Sequence, residues 1–124
     1  MTIFIFGNPD LDFDSLPIRI LPKLKINFPK VEFVVVDPNE EWNLPENLTV
    51  LDTAYGIDQP RVFNDLKNFA QAPRLTMHDF DALSNLRYLQ KLGKIKQVKI
   101  IGLPPTINEQ EALQFLTTTL PTQP

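Results

Sequence analysis

Four short runs of β-branched and aromatic residues recur along the chain, separated by longer stretches with helical signals. The runs are Thr2–Phe6, Val31–Val36, Leu48–Leu51 and Val98–Ile101. Short, almost continuously apolar runs are typical of strands buried on both faces, and strands that alternate with helices form parallel sheets. The sequence therefore predicts an α/β fold with three layers, in which an open, mostly parallel, twisted sheet carries helices on both faces.

Proline predicts a break in the first helix. This helix should run from about Ser15 to Asn27, with Asp14 or Ser15 as the N-cap. Pro22 has no N–H and clashes with the preceding turn, so we expect a kink or an early break there. A further strand is expected near Arg61–Leu66 or near Arg74–Met77, and periodicity does not choose between them.

Two more helices have recognisable ends. The second should span about Asp79–Leu92 and stop at Gly93, with its leucines facing inward. The third should run from about Asn108 to Thr119, with Asn108 as the N-cap and acidic residues in its first turn. The segment between Asp37 and Asn47 is rich in Pro, Asn and Glu, which favours a loop.

Length and composition limit the classes of partner. With 124 residues, 43% of them hydrophobic, the chain should form one domain over residues 1–120, followed by a frayed tail at 121–124. The net charge of −3 is spread along the chain, which favours neither a nucleic-acid partner nor a membrane surface. There is no cysteine, so disulfides and thiolate chemistry are excluded, as suits a reducing compartment. The apolar start is too short for a signal peptide, and we expect a cytoplasmic protein.

Three polar residues are expected at one edge of the sheet. Asp14 follows the first strand, Asp52 ends the "LTVLD" strand, and His78 precedes the second helix. Ligands of open parallel sheets bind outside the carboxyl ends of the strands, and one imidazole with two carboxylates can hold a borderline metal with open coordination positions. Each residue also has an ordinary structural reading, because acids at strand ends and a histidine at a helix start commonly cap helices and turns.

The order of these segments resembles the hydrogenase maturation protease family, which removes the C-terminal extension from the large subunit of nickel-iron hydrogenases. "FIFGNPDLDFDSLPIRIL" is similar to the family's first strand, its Gly-Asn pair, its acid and its first helix. "LTVLDTA" is similar to the strand that ends in the second acid, and "MHDFDALSNLRYLQKLGKIKQVKIIGLPP" to the histidine, the leucine-rich helix and the strand that ends in Gly-x-x-Pro. The resemblance spans roughly residues 1–120.

The resemblance implies a phosphorylase/hydrolase-like sheet and a metal-dependent peptidase. Asp14, Asp52 and His78 would be both the metal ligands and the catalytic residues. The metal would be nickel already loaded into the hydrogenase large-subunit precursor, and zinc or cadmium could substitute for it. The bound metal would polarise the scissile carbonyl or lower the pKa of a water molecule, and Asp14 or Asp52 could serve as a general base.

One departure from the family concerns the choice of substrate. The Asp-Gly-Gly-Thr segment of many members is replaced by "DPNE" at residues 37–40, and we expect Asn39, Glu40 and Trp42 to contact the precursor. Two other functions stay open. The chain could be a non-catalytic binding module of the same fold, or a phosphorylation-receiver-like domain. A receiver-like domain should carry a lysine at the end of its last core strand.

Overall fold

The computed structural model describes residues 2–5, 16–36, 45–54, 57–64, 86–104 and 106–120. Within these residues the chain forms five strands and four helices. The strands are β1 (Thr2–Ile5), β2 (Glu32–Val35), β3 (Asn47–Thr53), β4 (Arg61–Phe63) and β5 (Gln97–Leu103). The helices are α1 (Leu16–Arg19), α2 (Leu21–Asn27), α3 (helical over 86–91) and α4 (Glu109–Thr119).

The strands form one sheet in the order β2-β1-β3-β5-β4, with β3 at its centre. β1 pairs with β2 and β3 in parallel, and β3 also pairs in parallel with β5 over its whole length. Only the short edge strand β4, among the strands described, is antiparallel to its neighbour. The mostly parallel sheet predicted from the sequence is therefore confirmed.

Apolar side chains cover both faces of the sheet. One cluster joins Val50 and Ile100 to Leu86 of α3. The other joins Leu51 and Ile101 to buried residues of α2 and α4, among them Leu24, Ala112 and Leu116. Since neighbouring residues of one strand belong to opposite clusters, β3 and β5 lie between two layers of helices. This arrangement confirms the three-layer α/β fold.

The first helix breaks as the prolines predict. α1 ends at Arg19 and α2 begins at Leu21, with Pro22 in the first turn of α2, where its missing N–H breaks no helical bond. The carbonyl of Ile20 still accepts the N–H of Leu24 at 3.0 Å. The Ile20 side chain is fully buried, so the break occurs where the chain is anchored to the core.

The ends of α3 and α4 follow the sequence signals closely. Gly93 has a φ of +79°, and the N–H groups of Gly93 and Lys94 donate to the carbonyls of Gln90 and Leu89, which is a Schellman motif. At the start of α4, the side chain of Asn108 accepts the N–H of Glu111 at 2.8 Å and donates to its carboxylate at 2.7 Å. Both predicted helix ends are confirmed.

Two strands are longer than expected. The apolar runs predicted Leu48–Leu51 and Val98–Ile101, whereas β3 and β5 each contain seven residues and continue past those runs at both ends. Their pairing with each other explains the difference, because backbone hydrogen bonds between two strands can continue past the apolar residues of either strand. The further strand lies at Arg61–Phe63, within the first of the two predicted positions.

Several expectations fall outside the residues that the structure describes. These are the N-cap at Asp14 or Ser15, the alternative strand at Arg74–Met77, the first part of the second helix, most of the loop after Asp37, and the tail at 121–124. Within the described part of the chain, no helix has the length and apolar character needed to cross a membrane.

Candidate active site

The strand order places a topological switch point between β1 and β3. From β1 the chain adds β2 on one side of the sheet and β3 on the other, so the winding direction reverses between β1 and β3. In open α/β sheets, ligands bind outside the carboxyl ends of the strands at such a switch point. The register pairs Ile5, the last residue of β1, with Leu51. Asp52 comes directly after Leu51 in β3, so an acidic residue lies level with the carboxyl end of β1, at the switch point.

Asp52 is a core residue rather than a loop acid. It is the penultimate residue of β3, lies opposite Gly102 of β5 and is only 1% exposed. The sequence placed it at the carboxyl end of its strand, and the structure places it there, one residue before β3 ends. An ionised carboxylate at this depth is unfavourable unless hydrogen bonds, an opposite charge or a metal ion compensate it.

The orientation of the Asp52 carboxylate follows from the strand geometry. Its Oδ1 accepts the backbone N–H of Thr53 at 2.8 Å. Successive N–H groups of a strand point to opposite neighbours, and the N–H of Ala54 donates to Leu103 of β5 at 2.8 Å. The N–H of Thr53 therefore points away from β5 and toward the side of β1. Oδ1 consequently lies on the β1 side of β3, at the switch point.

The Asp52 carboxylate has the chemistry of a metal ligand. An ionised carboxylate has about four acceptor positions, and the N–H of Thr53 is one of the groups that it contacts. Carboxylate oxygen is a ligand for nickel, zinc and similar divalent ions, and a fixed carboxylate loses less entropy on binding than a free one. The role of Asp52 as a metal ligand stays a prediction.

Gly102, which lies opposite Asp52, leaves room for the side chains of Ala54 and Phe63. A Cβ atom at this position would lie 2.9 Å from the Cβ of Ala54 and 2.9 Å from Cε2 of Phe63. Such distances are well inside ordinary carbon contact. The glycine of the "IIGLPP" stretch is therefore required by packing beside the candidate site, a reason that the sequence pattern alone did not provide.

Only one of the six predicted site residues lies in the described part of the chain. Asp14 and His78, and the substrate-contact residues Asn39, Glu40 and Trp42, fall outside it, and their roles stay predictions. Within the described residues there is no group of three His, Cys, Asp or Glu side chains that could hold a metal ion.

Thr53 is a polar residue beside the site that sequence reasoning missed. Its side chain is completely buried, and its Oγ1 has no hydrogen-bond partner within the described residues. The sequence signal was the Asp-Thr pair directly after "LTVL". Threonine is common in strands, however, so the pair gave no reason to examine the hydroxyl.

The position of Lys99 bears on the receiver-like alternative. Lys99 is the third residue of β5 and lies opposite Thr49, three pairs away from Asp52 and Gly102. Paired residues share a face of the sheet, and residues three apart in one strand lie on opposite faces. Lys99 shares the face of Thr49 and therefore points to the opposite face from Asp52. It lines an open groove of about 440 Å³ at the amino half of the sheet. A lysine in this place does not meet the receiver requirement.

Comparison with known proteins gives matches in structure only. No protein-family model matches the chain, and no curated protein matches it significantly. The hydrogenase-maturating endopeptidase HybD from E. coli is 15% identical, with a TM-score of 0.61 over 97% of this chain and 94% of that chain. The hydrogenase 3 maturation protease is 20% identical, with a TM-score of 0.58 over 86% of this chain and 74% of that chain.

A third structure of similar length agrees with these two. It is the solution structure of an endopeptidase from Escherichia coli, 15% identical, with a TM-score of 0.66 over 97% of this chain and 90% of that chain. All three likenesses extend over most of the sheet and its helices, at identities too low to carry an activity across by themselves. The chain therefore has the fold of the hydrogenase maturation endopeptidases, the family that its sequence resembles.

Proposed function

We propose that this protein is a hydrogenase maturation endopeptidase. It removes the C-terminal extension of a nickel-iron hydrogenase large-subunit precursor once nickel has been inserted, and it recognises the bound nickel. The observation that carries the proposal is Asp52, a buried carboxylate whose Oδ1 lies on the β1 side of β3, at the switch point of a sheet with this fold. The resemblance of the segments around Asp14 and His78 to the family supplies the other two ligands.

Asp52 acts as a fixed ligand in this mechanism. The N–H of Thr53 holds Oδ1, so the carboxylate meets the precursor's nickel without first losing rotational freedom. Asp14 and His78 complete a set of two carboxylates and one imidazole, which leaves coordination positions for the precursor's own ligands. Nickel held in this way positions the adjacent peptide bond and polarises its carbonyl.

A carboxylate of the same set is the proposed general base. The chain has one histidine and no cysteine, so a serine-type triad or a cysteine nucleophile would require residues that are absent or already assigned. Asp52 or Asp14 can accept a proton from the attacking water, because a carboxylate uses only part of its acceptor capacity as a ligand.

The substituted segment at residues 37–40 is proposed to select the substrate. Asn39, Glu40 and Trp42 follow β2, whose carboxyl end lies at the same edge of the sheet as that of β1. Side chains from a loop at this edge can contact a protein seated over the switch point. Asn39, Glu40 and Trp42 would then confine the protein to one subgroup of hydrogenases.

The test uses matched nickel-loaded and nickel-free precursor. Each is incubated with the protein, and the intact mass of the large subunit is measured over time. We expect the nickel-loaded precursor to lose its C-terminal extension and the nickel-free precursor to keep it. Stable association without any mass change would instead identify a non-catalytic binding module, and cleavage of both forms would remove the proposed role of nickel.

A further inference from the structure

Helix α3 carries an exposed face that combines positive charge with apolar surface. Tyr88 is 60% exposed and Leu92 is 52% exposed. Arg87 and Lys91 are exposed as well, and the N–H of Leu92 donates to the carbonyl of Tyr88 at 3.0 Å, so helical spacing extends to Leu92. With 3.6 residues per turn, these four side chains occupy one arc, opposite the buried Leu86. We call them the α3 face.

The cations of this segment are not neutralised within the described part of the protein. In a chain with a net charge of −3, residues 82–108 carry no acidic residue. They carry five basic residues, namely Arg87, Lys91, Lys94, Lys96 and Lys99. Lys96 pairs with Glu46 at 3.4 Å, whereas Arg87, Lys91 and Lys94 make no ion pair within the described residues.

The basic residues around α1 and α2 provide a contrast. Residues 15–31 also carry several cations and no acidic residue. Lys23, however, pairs with Glu109 at 3.9 Å, and Arg19 and Lys30 have partners too. Of these two basic segments, α3 is therefore the one that presents several unpaired charges, and it presents them beside exposed apolar side chains.

The α3 face lies on the same side of the sheet as the Asp52 side chain. Leu86 of α3 belongs to the same apolar cluster as Val50. Asp52 follows Val50 by two residues in β3, and residues two apart in a strand share a face of the sheet. A protein seated at the switch point on this side can therefore also contact α3.

The composition of the α3 face indicates what it can bind. Tyrosine and arginine are enriched at the energetic centres of protein interfaces, and charge complementarity calls for a partner with carboxylates around an apolar centre. Three unpaired cations are fewer than the about four to eight that mark anionic-membrane sites, and a net charge of −3 disfavours membranes and nucleic acids. A symmetric contact between two α3 faces would bring like charges together.

We propose that the α3 face binds an acidic surface of the hydrogenase large-subunit precursor, with Tyr88 against an apolar side chain between carboxylates. The inference rests on the proposed function for the identity of the partner, and it deepens that function by adding a contact beyond the nickel. Such a contact holds the substrate and the transition state equally, because it does not touch the reacting atoms. It therefore lowers KM and leaves kcat unchanged.

The experiment compares α3 with α2, which offers matched exposed residues in the other layer of helices. Lys91→Glu and Lys25→Glu make the same charge change in the last turn of a helix. Tyr88→Ala and Ile26→Ala each remove an exposed apolar side chain. For each variant, the thermal midpoint is measured, together with kcat and KM for nickel-loaded precursor at about 20 mM and about 0.5 M salt.

The two α3 variants should bind the precursor more weakly with unchanged turnover. Tyr88→Ala should raise KM about tenfold at both salt concentrations. Lys91→Glu should raise KM about five- to tenfold at low salt and less than about twofold at high salt, because salt screens exposed charges. Lys25→Glu and Ile26→Ala should keep the wild-type KM. All four side chains are exposed, so each thermal midpoint should stay within about 2 °C of the wild-type value.

Four results would overturn the inference. An unchanged KM in both α3 variants, with an active wild type, would remove the docking role of α3 and leave the proposed function standing. An equal rise of KM in Lys25→Glu and Lys91→Glu would assign the effect to overall charge. If Lys91→Glu kept its KM but lost binding to vesicles containing phosphatidylserine, the α3 face would be a membrane contact. A wild type that does not cleave the precursor would refute the proposed function and this inference together.

Discussion

A single methyl group added at Gly102 should disturb the centre of the sheet. In Gly102→Ala the new Cβ would stand 2.9 Å from the Cβ of Ala54 and 2.9 Å from Cε2 of Phe63. Comfortable carbon contacts are about 3.5–4.0 Å, so both neighbours would have to retreat by roughly 0.6 Å or more. Ala54 cannot yield without its backbone, whose N–H is held by Leu103 at 2.8 Å.

The expected cost follows from this geometry. Overpacking a well-packed core typically lowers the free energy of unfolding by about 1–3 kcal/mol. Because Gly102→Ala creates two short contacts at once, we expect a loss in the upper half of that range, roughly 2–3 kcal/mol. For a chain of this length, each kcal/mol lowers the thermal midpoint by about 3–5 °C. Urea unfolding should show a lower midpoint with an unchanged slope.

A double-mutant cycle distinguishes this mechanism from a general loss of stability. Ala54→Gly removes one of the two neighbours, so it should cost less in the Gly102→Ala background than in the wild type, with a coupling energy of about 1 kcal/mol. Gly93→Ala is the contrasting control, because no atom lies within 4 Å of its added Cβ and its cost of about 1–2 kcal/mol comes from a φ of +79°. The packing argument would be refuted if the free energy of unfolding of Gly102→Ala lay within about 0.5 kcal/mol of the wild-type value. It would also be refuted if the double-mutant cycle showed no coupling with Ala54.

Three further predictions concern helix capping, metal binding and substrate choice. Asn108→Ala should lower the free energy of unfolding by about 1 kcal/mol, measured by urea unfolding, because two hydrogen bonds to Glu111 are lost; an unchanged midpoint would contradict this. Calorimetry should show that nickel, zinc or cadmium binds, and that binding weakens below about pH 6, where protons compete for an imidazole. His78→Ala should lose this binding. Equal binding by the wild type and His78→Ala would exclude the imidazole as a ligand. Replacing Asn39, Glu40 and Trp42 together by alanine should slow precursor cleavage and leave metal binding and the thermal midpoint nearly unchanged, whereas unaltered cleavage would mean that the segment does not contact the precursor.

β1, β3 and β5 could be recognised from the sequence because burial on both faces leaves an almost continuous apolar run. Their ends could not, because Asp52 and Thr53 are polar and interrupt the pattern while the backbone ladder with β5 continues. Lys99 shows the same limit. It lies inside an apolar run, yet its half-buried side chain lines an open groove at the amino half of the sheet. Local hydrophobicity does not record such partial coverage.

The helix ends were predictable because their causes are local. The break before Pro22, the left-handed Gly93 and the Asn108 cap each depend on a residue and its near neighbours in sequence. The direction of β4 depends instead on loops and on which edge of β5 is free. A strand of three residues carries no signal for this.

The candidate site was predictable only in part. The position of Asp52 followed from the rule that strand ends of a parallel sheet share one edge. Its depth, the N–H that orients it and the unsatisfied hydroxyl beside it depend on the register between β1, β3 and β5. Register is set by contacts between residues far apart in sequence, which no single segment encodes.

The central claim is that Asp52 binds the nickel of the precursor. The most direct test measures the dissociation constant of nickel-loaded and nickel-free precursor for the wild type, for Asp52→Asn and for Asp58→Asn, an exposed acid that controls for the change of charge. Asparagine keeps an oxygen that can accept the Thr53 N–H but lacks the negative charge that binds the metal. The wild type and Asp58→Asn should bind the nickel-loaded form at least about tenfold more tightly than the nickel-free form, and Asp52→Asn should bind both equally. A preference for nickel that survives in Asp52→Asn would contradict the claim.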